Sequence, residues 1–230
     1  MRLGKAYKMI YSIHRTTTPP ALTGGWDDAV WGAVPALVVD RFHAKSGDHH
    51  PTTRAKLLYD SNGLYVIFDV QDRYVECVCT QPQGPVCRDS CVEFFVQPSP
   101  PGPYFNFEIN CGGTPLVHFM EDWRIIPGQG FKKNTPVSAA LLQQLHIYHS
   151  LPRMVHPPRS NPTRWCVEYF IPFGLFEHYL GPLGEPSQRI WRGNFYKCGS
   201  SHAHWASWAP LGEELNFHQP RYFGTLQFAV

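Results

Sequence analysis

Ser90-Cys91-Val92-Glu93-Phe94-Phe95-Val96-Gln97 is followed, after a Pro- and Ser-rich interval, by Tyr104-Phe105-Asn106-Phe107-Glu108-Ile109-Asn110-Cys111. In the first run Val92, Phe94 and Val96 fall on one face, and Cys91, Glu93, Phe95 and Gln97 on the other. In the second, Phe105, Phe107, Ile109 and Cys111 alternate with Asn106, Glu108 and Asn110. A period of two marks a strand with one face in a core. Two such runs in succession, with Gly112-Gly113 turning the chain into Pro115 to Met120, predict consecutive strands of one sheet.

The same pattern extends outward. Leu57-Leu58-Tyr59 and Leu64-Tyr65-Val66-Ile67-Phe68 flank Asp60-Ser61-Asn62-Gly63, whose Asn-Gly predicts a hairpin with positive φ. Arg164 to Ile171 alternates and is closed by Pro172, while Arg189 to Cys198 and Phe223 to Phe228 complete the set. Phe173 to Leu180 is the one segment read as helical. Pro127 to Pro162 reads as a loop region around one strand near Leu145 to Tyr148. With 22 Pro and 19 Gly punctuating 230 residues and no internal repeat, the expected fold is all-β. It is a single-domain antiparallel β-sandwich over residues 1–230, with one short helix and long loops.

Bulk chemistry narrows the function classes. Twenty basic and 18 acidic side chains give a net charge of +2 with no block of like charge, which argues against nucleic acid as partner. No stretch reaches the roughly 18 apolar residues of a membrane span. Met1 to Lys8 lacks the apolar run of a signal peptide. With seven cysteines, an odd number, a reduced cytoplasmic protein is expected, or a secreted one if the chain is N-terminally trimmed.

Several segments, in order, resemble the family 9-like carbohydrate-binding modules, whose sandwich belongs to the wider DOMON-like superfamily. These are Leu22-Thr23-Gly24-Gly25-Trp26-Asp27-Asp28-Ala29-Val30-Trp31, the hairpin around Asp60, and Asp89-Ser90-Cys91-Val92-Glu93-Phe94-Phe95. Tyr104 to Asn110, Trp165-Cys166-Val167-Glu168 with Ile171-Pro172-Phe173, Asn194 to Gly199, and Phe223-Gly224-Thr225-Leu226 follow. The match runs over about 22–228 and implies a monomeric module that binds a mono- or oligosaccharide without catalysis. Sugar-binding members carry an aromatic platform shortly before the Asp-Ser-x-Val-Glu run, whereas this chain has Gly84-Pro85-Val86-Cys87-Arg88 there.

Stacking on a sugar ring is therefore assigned to Trp205 and Trp208, read as lying on a loop, since C–H faces of a pyranose pack on aromatic rings. Glu93, Asn106, Asn110, Lys197, Arg88 and Trp123 are candidates to bond hydroxyls, each of which both donates and accepts. Glu93 and Glu108 would serve hydrolysis only if they faced each other about 5–9 Å apart across a cleft. A metal-dependent enzyme or metalloprotein using Cys198, His202 and His204, with His218 as a further ligand, is an alternative. A protein-interaction domain with a decayed sugar site is another. The resemblance also implies structural calcium, for which Asp27, Asp28, Asp60, Asp69 and Asp72 offer oxygens.

Overall fold

A computed structural model describes residues 9 to 229, so the reading of Met1 to Lys8 lies outside the described residues. In chain order the strands are β1 (Ile10–Arg15), β2 (Leu37–Val38), β3 (Arg41–Phe42), β4 (Thr52–Tyr59), β5 (Gly63–Asp72) and β6 (Val75–Cys77). Next come β7 (Cys91–Gln97), β8 (Tyr104–Asn110), β9 (Pro115–Ile126), β10 (Gly130–Pro136), β11 (His146–His149) and β12 (Val155–Arg159). The last are β13 (Thr163–Pro172), β14 (Ile190–Gly199), β15 (His204–Ser207) and β16 (Gly224–Phe228).

They form two layers. One sheet has the order β10-β9-β8-β7-β14-β16, with β15 and β3 added beyond β14, and the other β4-β5-β13-β11, with β2 beside β4. The pairs within each sheet are antiparallel, as alternation and short turns predict. β1 is the exception, parallel to β16 through Ile10–Ile13 and then parallel to β4 through His14–Arg15, so it joins the two layers.

Between the layers lies a core of Val92, Phe94, Val96, Phe105, Phe107 and Phe195 from one sheet and Leu57, Val66, Phe68, Val167 and Ile171 from the other. Val92, Phe94, Val96, Phe105 and Phe107 are among the residues that the period-two pattern placed on one face of their strands. β7 and β8 are nevertheless buried on both faces. Their second face is covered by the segment before β16, which brings Leu211 and Phe217 onto Phe95, Tyr104 and Tyr196.

The outer face of the other sheet is closed by the Gly-Gly-Trp-Asp-Asp segment. Trp26, Trp31 and Val34 pack on Leu58, Tyr65 and Ile67. Glu168 accepts from Trp31 Nε1 at 2.9 Å and from the Gly24 amide at 2.7 Å. Lys56 Nζ donates to the carbonyls of Trp26 and Trp31 and sits 4.3 Å from the Trp26 ring centroid. This signature therefore closes a sheet face, a structural duty in which buried polar groups are all partnered.

Three local expectations are corrected. The hairpin forms, but neither Asn62 nor Gly63 takes a positive φ. The Asp60 carboxylate instead accepts from both their amides, and a Cβ on Gly63 would come within 2.2 Å of the Ile171 carbonyl oxygen. Among the described residues there are three short helices rather than one: α1 (Ala29–Gly32), α2 (Ala139–Leu142) and α3 (Phe173–Leu180), of which the sequence predicted the last. The region read as loop from Pro127 to Pro162 contains β10 and β12 besides β11, the one strand expected there near Leu145 to Tyr148, because exposed strands such as β10 carry no apolar alternation to read.

Candidate functional site

The second face of the β7–β8–β14 sheet is not fully covered. Where the covering segment lifts away, a cavity of about 320 Å³ opens, lined by Glu93, Glu108, Cys198, Trp205, Phe217 and His218, with Cys87, Arg88 and Asn216 at its edge. The strands place these groups by register: Glu93 is the direct partner of Glu108 across β7–β8 and of Tyr196 across β7–β14. Cys198 pairs with Cys91 on one side and with Trp205 on the other. Trp205 packs its half-buried ring against Cys91, Cys198 and Phe217.

The two carboxyl groups are almost wholly buried, Glu93 at 3% exposure and Glu108 at 6%. Glu108 Oε1 accepts from Asn106 Nδ2 at 2.7 Å, and Glu93 Oε1 accepts from the Cys198 thiol at 3.1 Å. Burial raises the Glu108 pKa to about 7. It raises Glu93 well above the usual carboxylate range, with Cys198 and Glu108 adding to the effect. Burial thus favours the protonated form of Glu93, which can donate as well as accept. Burial, with His118 adding, lowers His218 to about 3, and this neutral ring is hydrogen-bonded through Nδ1 to the Tyr104 hydroxyl at 2.8 Å. The cleft therefore presents hydrogen-bond donors and acceptors beside two aromatic rings, with the exposed guanidinium of Arg88 at its edge.

A larger cavity of about 980 Å³ lies elsewhere, beside Arg41, Arg192 and Arg221. Arg41 and Arg192 donate to the backbone carbonyls of Trp208 and Phe223, so their guanidiniums are used to hold the chain. The smaller cleft is the better site because its polar side chains converge on open space.

The structure brings together Trp205, Glu93 and Arg88 of the expected site residues, and displaces the others. Trp208 is 4% exposed and belongs to the inter-sheet core, edge-on to Tyr11 and Phe195. The loop expected around Trp205 and Trp208 is in part a strand, His204–Ser207: Trp205 points to the cleft, and Trp208 follows its end back into the core. Lys197 is fully buried, one residue from Cys198 and hence on the opposite face of β14. Its Nζ donates to His204 Nε2 at 2.8 Å and lies 3.3 Å from Asp72 Oδ2. His204 is held neutral, its pKa lowered to about 3 by burial and then by Lys197. Burial alone would raise Asp72, but Lys197 and His49 hold it low.

Asn110 is buried in bonds to Asp89, the Cys79 carbonyl and the Thr114 amide. Asn106 positions Glu108 rather than meeting a ligand. Trp123 packs half-buried beside Tyr196 and Phe131 and does not line the cleft. Cys198 and His204 face opposite sides of the sheet, and His202 is exposed, stacked on Tyr74 at 3.7 Å, so these three make no metal site.

Of the aspartates, Asp60 caps the hairpin, Asp69 pairs with Arg54 and Arg164, and Asp72 with His49 and Lys197, while Asp27 and Asp28 are exposed. They do not converge. Glu93 and Glu108 are neighbours on one wall rather than opposed across a gap, which is not hydrolase geometry. Phe217 and Asn216 were not singled out from the sequence. They lie in a covering segment with no periodicity, and no sequence signal marks them.

Comparisons with other proteins agree with this fold. No curated protein matches the chain. A proposed carbohydrate-binding protein from Bacteroides uniformis is 25% identical, with a TM-score of 0.82 over 96% of this chain and 100% of that one. A carbohydrate-binding module of family 9 from Caldicellulosiruptor kristjanssonii, in complex with cellotriose, superposes with a TM-score of 0.60 at 14% identity, covering 96% and 93% of the two chains. The module from that organism in complex with glucose gives 0.56 at 15% identity, covering 95% of each. These last two likenesses are of fold. The model of carbohydrate-binding family 9 matches residues 33–228, from the end of the Trp-bearing entry segment to the last strand, and this chain belongs to that family.

Proposed function

We propose that the cleft between Trp205, Phe217, Glu93 and Glu108 binds a saccharide without chemical change to it, the chain acting as one module. The observation that carries this reading is a half-buried Trp ring beside two buried carboxyls, whose charged forms burial disfavours, in an open cleft. Aromatic faces take the C–H side of a pyranose, and carboxyls with His218 and Arg88 can bond its hydroxyls. The solved family 9 module structures that hold cellotriose and glucose support the ligand class. A cavity of about 320 Å³ suits a monosaccharide or the end of a chain rather than a long polymer. The preceding stretch offers Cys87 and Arg88 where a second aromatic platform would stand, so one ring face carries the stacking and the affinity is weak.

The test is a tryptophan-fluorescence titration with a panel of mono- and oligosaccharides, repeated on Trp205→Ala. Saturable quenching in the parent chain, lost in a folded Trp205→Ala, is the expected result. Quenching that survives in Trp205→Ala, or none with any sugar, would refute the assignment.

A further inference from the structure

Three metal-ligating side chains converge beneath the cleft in a way that saccharide binding does not require. Cys91 and Cys198 are direct partners on the adjacent antiparallel strands β7 and β14, and Glu93 lies two residues further along β7 on the same face. The two sulfurs and one Glu93 carboxylate oxygen all lie within 4.8 Å of one another. Cys91, Glu93 and Cys198 are 0%, 3% and 3% exposed, and Glu93 and Cys198 border the cleft. An ion entering from solvent therefore meets two of the ligands first and the third behind them.

Charge balance is the second observation. The hydrogen bonds made to the buried carboxyls of Glu93 and Glu108 come from the Cys198 thiol and the Asn106 amide. Lys197, the adjacent cation in sequence, is on the far face with His204 and Asp72. Among the described residues no basic side chain forms an ion pair with either glutamate. In ionised form either carboxyl would need such a partner or a metal ion.

We propose that Cys91, Glu93 and Cys198 form a zinc site at the floor of the cleft, with its fourth position open to the cleft. Two thiolates and a carboxylate suit zinc and disfavour calcium or magnesium, which require oxygen ligands in larger number. Zinc–sulfur bonds of about 2.3 Å in tetrahedral geometry set two sulfurs roughly 3.8 Å apart, inside the observed spread. Binding transfers no electrons: each thiol loses its proton to solvent, Glu93 binds as carboxylate after releasing any proton it holds, and water fills the open position. The site does not depend on the saccharide reading, since it is measured with metal alone.

The experiment uses the reduced full chain titrated with Zn²⁺ against a chromophoric chelator, and with Co²⁺ followed by absorbance. One Zn²⁺ per chain is expected, with proton release. Co²⁺ should give the visible bands of a tetrahedral ion and a near-ultraviolet sulfur-to-cobalt band whose intensity counts two thiolates. Cys91→Ser and Cys198→Ser should each weaken Zn²⁺ at least about tenfold, since loss of even an outer-shell partner has that effect. Cys111→Ser, whose thiol is buried beside Cys77 in the inter-sheet core and does not line the cleft, should leave it unchanged. Absence of stoichiometric zinc binding, a cobalt spectrum without two thiolates, or a Cys91–Cys198 disulfide in the chain purified under reducing conditions would each overturn the proposal. The cobalt spectrum needs no variant, so it decides the matter even if a serine variant fails to fold.

Discussion

Glu168 and Glu93 are two buried glutamates on the outward faces of the two sheets, and they have opposite surroundings. Glu168 meets two fixed donors, the Trp31 indole and the Gly24 amide, beneath a closed layer of Trp26 and Val34. Glu93 meets a thiol and then the open cleft. Burial raises both pKa values, but the bonds from Gly24 and Trp31 counteract it at Glu168, whereas Cys198 and Glu108 reinforce it at Glu93. A buried carboxyl fully bonded by its own chain is a structural part. One left with unused bonding capacity facing solvent is available to a ligand.

The sharpest way to break this comparison is to truncate the aromatic residue on each face. Trp31→Ala should cost about 3–5 kcal/mol in denaturant unfolding, as for other buried aromatics. Trp205→Ala should cost about 1 kcal/mol or less while removing sugar-induced quenching. Equal costs would mean that both faces are structural.

Next in size is a pH effect. Because Glu108 in the fold titrates near 7 against 4.5 for the free group, the folded state holds its proton longer than the unfolded one. Stability relative to Glu108→Gln should therefore be full below about pH 4.5 and decline as pH rises to about 7, by on the order of 3 kcal/mol, then level off. Parallel stability curves for the two proteins would remove the raised pKa.

Smaller still is the direct exchange of the two glutamates for glutamine. Glu168→Gln turns an amide donor toward one of two fixed donors and should cost about 1–3 kcal/mol. Glu93→Gln, with the cleft to turn into, should stay within about 1 kcal/mol of the parent protein by the same unfolding assay.

What could be read from the sequence follows the same divide. Val92/Phe94/Val96 and Phe105/Phe107/Ile109 declare their strands because a dry interior requires strict alternation. Phe173–Leu180 ends at Gly181, whose φ of 73° is a turn only glycine takes easily. β1 went unread because only Tyr11 and Ile13 of its six residues are buried, too few for a pattern. The site was half legible. Glu93 and Trp205 stand out by residue type, but Lys197 looks equally suitable until β14 turns it inward. Phe217 and His218 reach the cleft only through a loop fixed by long-range packing.

The two parallel bridges of β1 have a mechanical consequence. Ile10–Ile13 lie beside Thr225–Phe228 in parallel register. Tension applied between Ile10 and Phe228 would pull β1 backward and β16 forward, loading their hydrogen bonds in shear so that they must fail together rather than one by one. The same pull must also detach His14 and Arg15 from β4, so this strand would behave as a clasp holding both layers against stretching.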